Sequence, residues 1–411
     1  MPSSKKAAIG FIFVTLLIDV MGWGIIIPVM PNLIGQLIHG SVSQASKCNG
    51  WLLATFAVAQ FLFSPVVGNL SDRYGRRRIL LISLFGFGID YLFLSFAPTI
   101  GWLFVGRAIA GITGASFTTA TAYIADISTN ETRAKNFGMV GAAFGVGFMV
   151  GPFIGGELGT FGPRVPFLGA AILCLLNCLW GFFILPESLP VEKRRPFSWA
   201  RANPFGALRF LRKYPRINEL VGSLVLVYLG AHAIQSNWSF FTKEEFNWGP
   251  GTIGMSLALV GLLVGLVQGL LTRVVNPRIG NENSVYLGLG LYTVGMLLFA
   301  FATQSWMIFA FLIPYCLGGI AGPSLQAIIT SHVPSNEQGE LQGALTSLIS
   351  VTSIVGPLIM TNLFAYFTSA KAPIKFAGAP FILGAIFFTG SIIMAYHALK
   401  TEKIRSPQTA E

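Results

Sequence analysis

The 411-residue sequence predicts an all-α integral membrane protein of twelve transmembrane helices in two pseudo-symmetric six-helix bundles. Three observations predict it. The chain is 53% hydrophobic and only 10% charged, with a mean hydropathy of +0.68, far from the composition of soluble domains. Apolar windows of about 20 residues, enough to cross a hydrocarbon core of roughly 30 Å, recur from end to end. A short motif in the first half also returns in the second at a constant offset, the mark of a duplicated unit.

The apolar windows fall at 7–31, 50–69, 79–98, 100–124, 137–160, 165–186, 217–241, 251–275, 284–303, 305–332, 340–367 and 376–399. No small-residue cleavage site follows the first, so it reads as a retained helix rather than a signal peptide. An even number of spans leaves both termini on one face. Of the 27 Lys and Arg residues, Lys47, Arg164, Lys243, Lys371 and Lys375 lie between spans on one side, and Arg107 lies within a span. All the others fall on the opposite side, which is therefore cytoplasmic and holds both termini. The net charge of +11 reports topology, not nucleic-acid binding. Cys48, Cys174, Cys178 and Cys316 have neither disulfide nor metal spacing and read as packing residues.

The basic, proline-containing segment 187–216 separates an N-terminal bundle, 1–186, from a C-terminal one, 217–411. Val150–Ile154 (VGPFI) returns as Val355–Ile359 (VGPLI), and Arg73 and Gly75 return as Arg278 and Gly280, all at an offset of 205. Six-helix halves with a substrate site between them at mid-bilayer are a transporter design.

Two kinds of residue then stand out. The first is the polar turn Gly68–Arg78 (GNLSDRYGRRR), set between two spans. Gly68 and Gly75 suit a tight backbone, and Asp72, beside Arg73 and Arg76, suits an ion-paired turn; the alternative is a solvated loop that only sets topology. Asp126, at the cytoplasmic end of the fourth span, is placed to pair with these arginines. The second kind is charge inside the hydrocarbon, where an ionisable group is costly and is by default a functional suspect. Counting about 1.5 Å per residue along each helix, Asp19 and Arg107 reach similar depth, so an Asp19–Arg107 pair is expected. Asp90 is expected to lack a basic partner and to be the better proton carrier. The competing reading has Asp19 bonded to irregular backbone near Pro28 and Arg107 acting as a clamp.

The second half is expected to hold no acid or base in the middle of any span, offering hydrogen-bonding and aromatic groups instead. Asn237, Gln268, Tyr292 and Gln326, with Gln60 from the first half, are the candidates to line a substrate cavity. The run Gly145–Gly156 (GVGFMVGPFIGG) spaces Gly147, Gly151, Pro152, Gly155 and Gly156 along a smooth helix face, suited either to a sliding, sealed interface or to ordinary close packing. Nothing pairs a nucleophile with a base or builds a phosphate loop, so an enzyme is not expected.

With these residues in view, the chain resembles the major facilitator superfamily, and within it the proton-coupled drug antiporters of the tetracycline-efflux group. Gly68–Arg78 resembles the superfamily's signature turn, Arg107 in GRAIAGITGA its fourth-helix motif, and Gly145–Gly156 its antiport helix. Asp19 in LLIDVMGWGIIIPVMP, Asp90 in GIDYLFLSF, FTKEEFNW (Phe241–Trp248), Gln268, GGIAGPSLQ (Gly318–Gln326) and QGELQGALTSL (Gln338–Leu348) resemble the tetracycline group more narrowly. The resemblance implies export of a small amphipathic drug in exchange for protons by alternating access, in a bacterial inner membrane. It also implies a functional monomer with no cofactor beyond the proton gradient, Asp19, Asp90 and Arg107 forming the proton-coupling set. Three positions depart from the group: Tyr292 stands where it carries an acid, Val264 where it carries a histidine, and Asn69 where it carries a lysine. A symporter or facilitator for another solute, and a non-transporting receptor or scaffold, are the alternative functions.

Overall fold

The computed structural model describes residues 2–114, 116–199, 206–334 and 337–405, and these contain helices and no strands. Residues 200–205 of the basic linker lie outside them. In a bilayer every backbone N–H and C=O must find an internal partner, which leaves helices as the economical solution for chains this apolar. In order they are α1 (Pro2–Ile26), α2 (Met30–Ile38), α3 (Val42–Tyr74), α4 (Arg76–Phe96), α5 (Ile100–Thr113), α6 (Ser116–Ile127), α7 (Asn130–Thr160), α8 (Val165–Ile184), α9 (Asn218–Phe246), α10 (Pro250–Leu266), α11 (Thr272–Ala300), α12 (Ser305–Leu317), α13 (Ala321–Ser331), α14 (Gln338–Thr368) and α15 (Ala379–Arg405).

Several pairs of these are one span with a break in it. Pro28 ends α1, and a 3-10 turn, Ile27–Val29, leads into α2. Gly114 caps α5 before α6, and Gly318–Ile320 forms a 3-10 turn between α12 and α13 at the same offset of 205. Eleven continuous helical runs are long and apolar enough to cross a membrane among the described residues. One of them, Pro250–Ala300, has 51 residues; at 1.5 Å each it would measure roughly 76 Å, more than twice a bilayer core. Gly280, at φ 80° and ψ 162°, breaks it into two crossings. The chain is thus a multi-pass membrane protein, with the long run carrying the eighth and ninth expected spans.

Gly75 has the matching conformation, φ 101° and ψ 150°, between α3 and α4. Both glycines lie in a region of backbone space that is essentially closed to residues with a Cβ. At Gly75 a Cβ would also meet the Glu187 carboxylate. Gly75→Ala is expected to lower the midpoint of thermal unfolding measurably, while alanine at Gly68, where nothing lies within 4 Å of the added atom, is expected to be tolerated.

By its internal contacts the chain divides into two compact units. Unit 1 is Met1–Pro204 with Asn247–Leu262, and unit 2 is Phe205–Phe246 with Leu263–Glu411. The basic linker is divided between the units after Pro204, and α10 as far as Leu262 falls in unit 1. In unit 1, α1 lies between α7 and α8, and α4 between α5 and α8. The buried hydrogen bond from Asn177 Nδ2 to Thr15 Oγ1, 3.1 Å, ties α8 to α1. In unit 2, α9 packs on α14 and α15, with the Ser223 and Ser391 hydroxyls 2.7 Å apart.

At the N-terminus of α14, Glu337 accepts from Lys213 Nζ at 2.5 Å and from the Tyr214 hydroxyl at 2.7 Å. These bonds hold the Glu337 carboxyl below its ordinary range. A depressed acid supports the folded contact above its unfolded pKa and loses that support as pH falls through the folded value. Proteolysis between α9 and the linker is therefore expected to be slow at neutral pH and faster at strongly acid pH, with Glu337→Gln removing the difference.

Candidate functional site

The polar centre of unit 1 is set by a hairpin. Helices α4 and α5 are joined by the short turn at 97–99 and run antiparallel, so residues equally far from the turn share a level. Asp90 and Arg107 are such a pair, and Arg107 Nη2 donates to Asp90 Oδ2. Asp90 is 0% exposed and Arg107 is 4% exposed. The expected Asp19–Arg107 pair is thus corrected, as is the expectation that Asp90 lacks a basic partner. Gly106 permits the approach, since a Cβ there would lie 2.7 Å from Asp90 Oδ1. The guanidinium also lies over the Phe56 ring of α3, 5.8 Å from its centroid, a contact that strengthens when desolvated.

Among the described residues Asp19, on α1, has no ionic partner, and neither of its buried carboxyl oxygens has a hydrogen bond. Its polar neighbour is the Ser116 hydroxyl of α6. Tyr91, next to Asp90, reaches α1: a Cβ on Gly22 would lie 2.7 Å from the Tyr91 hydroxyl oxygen. Tyr91 was not legible as a site residue, although it adjoins Asp90. The arrangement is a buried cluster of one ion pair, one separate carboxyl and a phenol on the helix of Asp90 that reaches α1. It can hold one exchangeable proton without breaking the pair.

The glycine helix α7 lies directly on the helix that carries Asp19. Added Cβ atoms would lie 2.9 Å from Val20 Cβ at Gly147 and 2.6 Å from the Met21 carbonyl oxygen at Gly151, and would strike the Ile25 carbonyl at Gly155. Gly24 of α1 answers with equally close approach to Pro152, 2.6 Å from its Cδ. The remaining glycine, Gly156, faces α10: its added Cβ would lie 2.6 Å from the Pro250 carbonyl oxygen and 3.0 Å from Gly254 Cα. Spacing of four residues therefore builds one backbone-close contact with α1, and the next residue builds another with α10. Gly155→Ala, which forces the α1 and α7 backbones apart, is expected to reduce transport more than Gly145→Ala, which meets nothing within 4 Å.

The signature turn is a closed polar network. Arg76 pairs with Asp72 at 2.5 Å and with Asp126 at 3.2 Å, the pairing foreseen for Asp126. Arg73 instead lies exposed over the Tyr74 ring, 5.1 Å from its centroid. Glu187, which the sequence reading passed over, supplies the cap: its Oε1 accepts from the Arg76 N–H at 2.8 Å, the first orphan donor of α4. Asn69 donates to the Ser198 carbonyl at 3.2 Å, binding the linker to α3.

Gln60 donates to the Gly114 carbonyl at 3.3 Å, at the break between α5 and α6. Gln268 is exposed on a π-turn, Val267–Leu271, an irregularity frequent at functional sites. Gln326 donates to Gln342 Oε1 at 3.2 Å. Tyr292 stacks on Phe388 with centroids 4.9 Å apart. Asn237 is 0% exposed and bonds Ser236 Oγ at 3.1 Å, so within unit 2 it supports α9 instead of opening to solvent. A base was also missed: His232 lies buried mid-way along α9, correcting the expectation of a second half without one.

The family model for the Major Facilitator Superfamily matches residues 12–357 and 220–411. The chain belongs to the Major Facilitator Superfamily. Within that superfamily it is 41% identical to the Tetracycline resistance protein, class C, of Escherichia coli, over 91% of this chain and 92% of that protein. It is 34% identical to the class B protein of Escherichia coli over 96% of each. Among solved superfamily structures, a bacterial homologue of the human lysosomal transporter Spinster matches with a TM-score of 0.76 over 99% of each chain at 14% identity. The nucleoside transporter NupG matches with a TM-score of 0.74 over 96% of this chain and 99% of that one; at 14% identity these two speak to the fold. As a superfamily transporter the chain moves a small molecule across a membrane in which it is embedded, and it is not an enzyme.

Proposed function

We propose that this chain is a proton-coupled antiporter that exports an amphipathic, polycyclic drug-like compound by alternating access, working as a monomer in a bacterial inner membrane with both termini cytoplasmic. The observation that carries the reading is the buried cluster of unit 1: an Asp90–Arg107 ion pair held through Arg107 Nη2 and Asp90 Oδ2, with Asp90 Oδ1 and Arg107 Nε lacking a hydrogen-bond partner among the described residues, beside the unpaired carboxyl of Asp19. Two opposite charges that offset one another leave Asp19 as the group that gains or loses a proton as its surroundings change. The ion pair then acts as a fixed polar partner whose geometry Asp19 and the substrate bias. The glycine face of α7 lets the Asp19 helix move against its neighbour without side chains to unlock, and the Asp72–Arg76–Asp126 network latches one state from the cytoplasmic side. The kinship with tetracycline resistance proteins supports an extended polar polycycle as substrate. Tyr292 and Val264 carry no acid or histidine, so the coupling is assigned to unit 1 and to protons.

The test is uptake into everted membrane vesicles energised by a proton gradient, with tetracyclines and cationic dyes as probes. Gradient-driven accumulation that collapses with a protonophore supports antiport. Accumulation that persists unchanged after collapse contradicts it.

A further inference from the structure

Unit 2 contains a titratable group that no part of this mechanism uses. His232 stands 14 residues along α9, about 21 Å into a helix of roughly 44 Å, and is 7% exposed. Its Nε2 is buried and has no hydrogen-bond partner. The Cδ2–Cγ side of the ring lies against α14 at Gly356, where an added Cβ would fall 2.7 Å from the imidazole Cγ and 3.0 Å from Cβ of His232. Gly356 is the duplicate of Gly151 at the offset of 205. In unit 1 that glycine receives the backbone of Met21; in unit 2 it receives an imidazole.

Packing alone does not account for the choice. A leucine or methionine fills a glycine notch without stranding a polar nitrogen in hydrocarbon. Among the described residues of α9 and the helices packed against it, no acid stands level with the ring. On the helices packed against α9, Glu340 of α14 lies 16 residues before Gly356, about 24 Å away along the axis. His397 and Lys400 of α15 lie beyond Ser391, level with the first turns of α9, and His332 ends α13. On α9 itself, Glu219 is in the first turn, and Lys243, Glu244 and Glu245 are in the last, roughly 16–20 Å from the ring along the axis; Tyr228, one turn from the ring, and Tyr292 of α11, near Tyr228, are phenols. An imidazolium at this position would be a charge with no counter-ion pressed against a glycine.

We propose that His232 is a second proton-binding site, in unit 2, whose protonation separates α9 from α14 at Gly356. Its role in transport rests on the antiport reading above; its protonation and the helix separation do not. The ring takes up the proton at Nε2 only when water reaches the notch, so the closed α9–α14 contact and the charged ring exclude one another. The site gives the second unit its own proton-sensitive joint, at the place where the duplicated motif in the first unit seals α1.

The experiment uses the full chain in nanodiscs, labelled with ¹⁵N-histidine. The sequence has 4 histidines, so His232→Gln identifies the His232 signals by their loss. The expected result is that these signals pass from the neutral to the charged pattern between neutral and acid pH. Over the same range, spin labels on α9 and α14 move apart in the parent but not in His232→Gln. An imidazole that never titrates down to the pH of unfolding, or an equal pH-dependent movement in His232→Gln, overturns the proposal. If His232→Gln does not fold, Gly356→Ala serves: its methyl displaces the ring, and the labels are expected to be apart already at neutral pH, an unchanged distance being the contrary result. Neither readout uses a substrate or a gradient. Export that ignores a proton gradient would therefore defeat the antiport reading while leaving this site to stand or fall by its own titration.

Discussion

Asp19→Asn is expected to abolish gradient-driven export, reducing it by at least about tenfold, an effect on the scale of losing a group that acts only as the cycle turns over. The protein should still fold. Asparagine keeps the shape of the side chain and removes only the titratable proton, in a place where the carboxyl makes no ion pair and no hydrogen bond. Energetically downhill movement of substrate, measured with no pH difference across the membrane, should survive better than uphill movement. Loss of both to the same degree would make Asp19 a substrate contact instead of a proton carrier.

Arg107→Met is expected to produce the largest loss of stability, about 3–5 kcal/mol, because it strands the fully buried Asp90 carboxylate without its partner. Thermal unfolding in detergent checks this. The double variant Asp90→Asn with Arg107→Met removes both charges, and it is expected to recover much of the lost stability while remaining inactive. Recovery of stability without recovery of transport separates what the pair does for folding from what it does in the cycle. If the double variant is no more stable than Arg107→Met, the two side chains do not compensate one another and the assignment of the pair is wrong.

The fold was readable because its determinants are local. Hydropathy alone locates the crossings, and the repeated glycine at 75 and 280 marks the two tight turns that a residue with a Cβ does not accept. The Asp90–Arg107 pair was readable in principle and was missed, because depth was counted from opposite faces of the membrane, where small errors in span edges accumulate. Counting both residues outward from the turn at 97–99 makes them level. His232 was passed over among apolar neighbours in GAHAIQ, where one histidine does not disturb a hydropathy window. The contacts of Gly156 with α10 and of Glu187 with the first N–H of α4 lie beyond any sequence pattern. They join segments about a hundred residues apart and depend on how whole helices are set against one another.

The most direct measurement is proton movement itself, followed with a pH-sensitive dye sealed inside proteoliposomes that contain the parent chain or Asp19→Asn. With no gradient imposed, a substrate gradient across the parent is predicted to drive protons in the opposite direction, and to drive none across Asp19→Asn. Substrate flux through the parent with no proton movement, or proton movement of equal size through Asp19→Asn, would contradict the account.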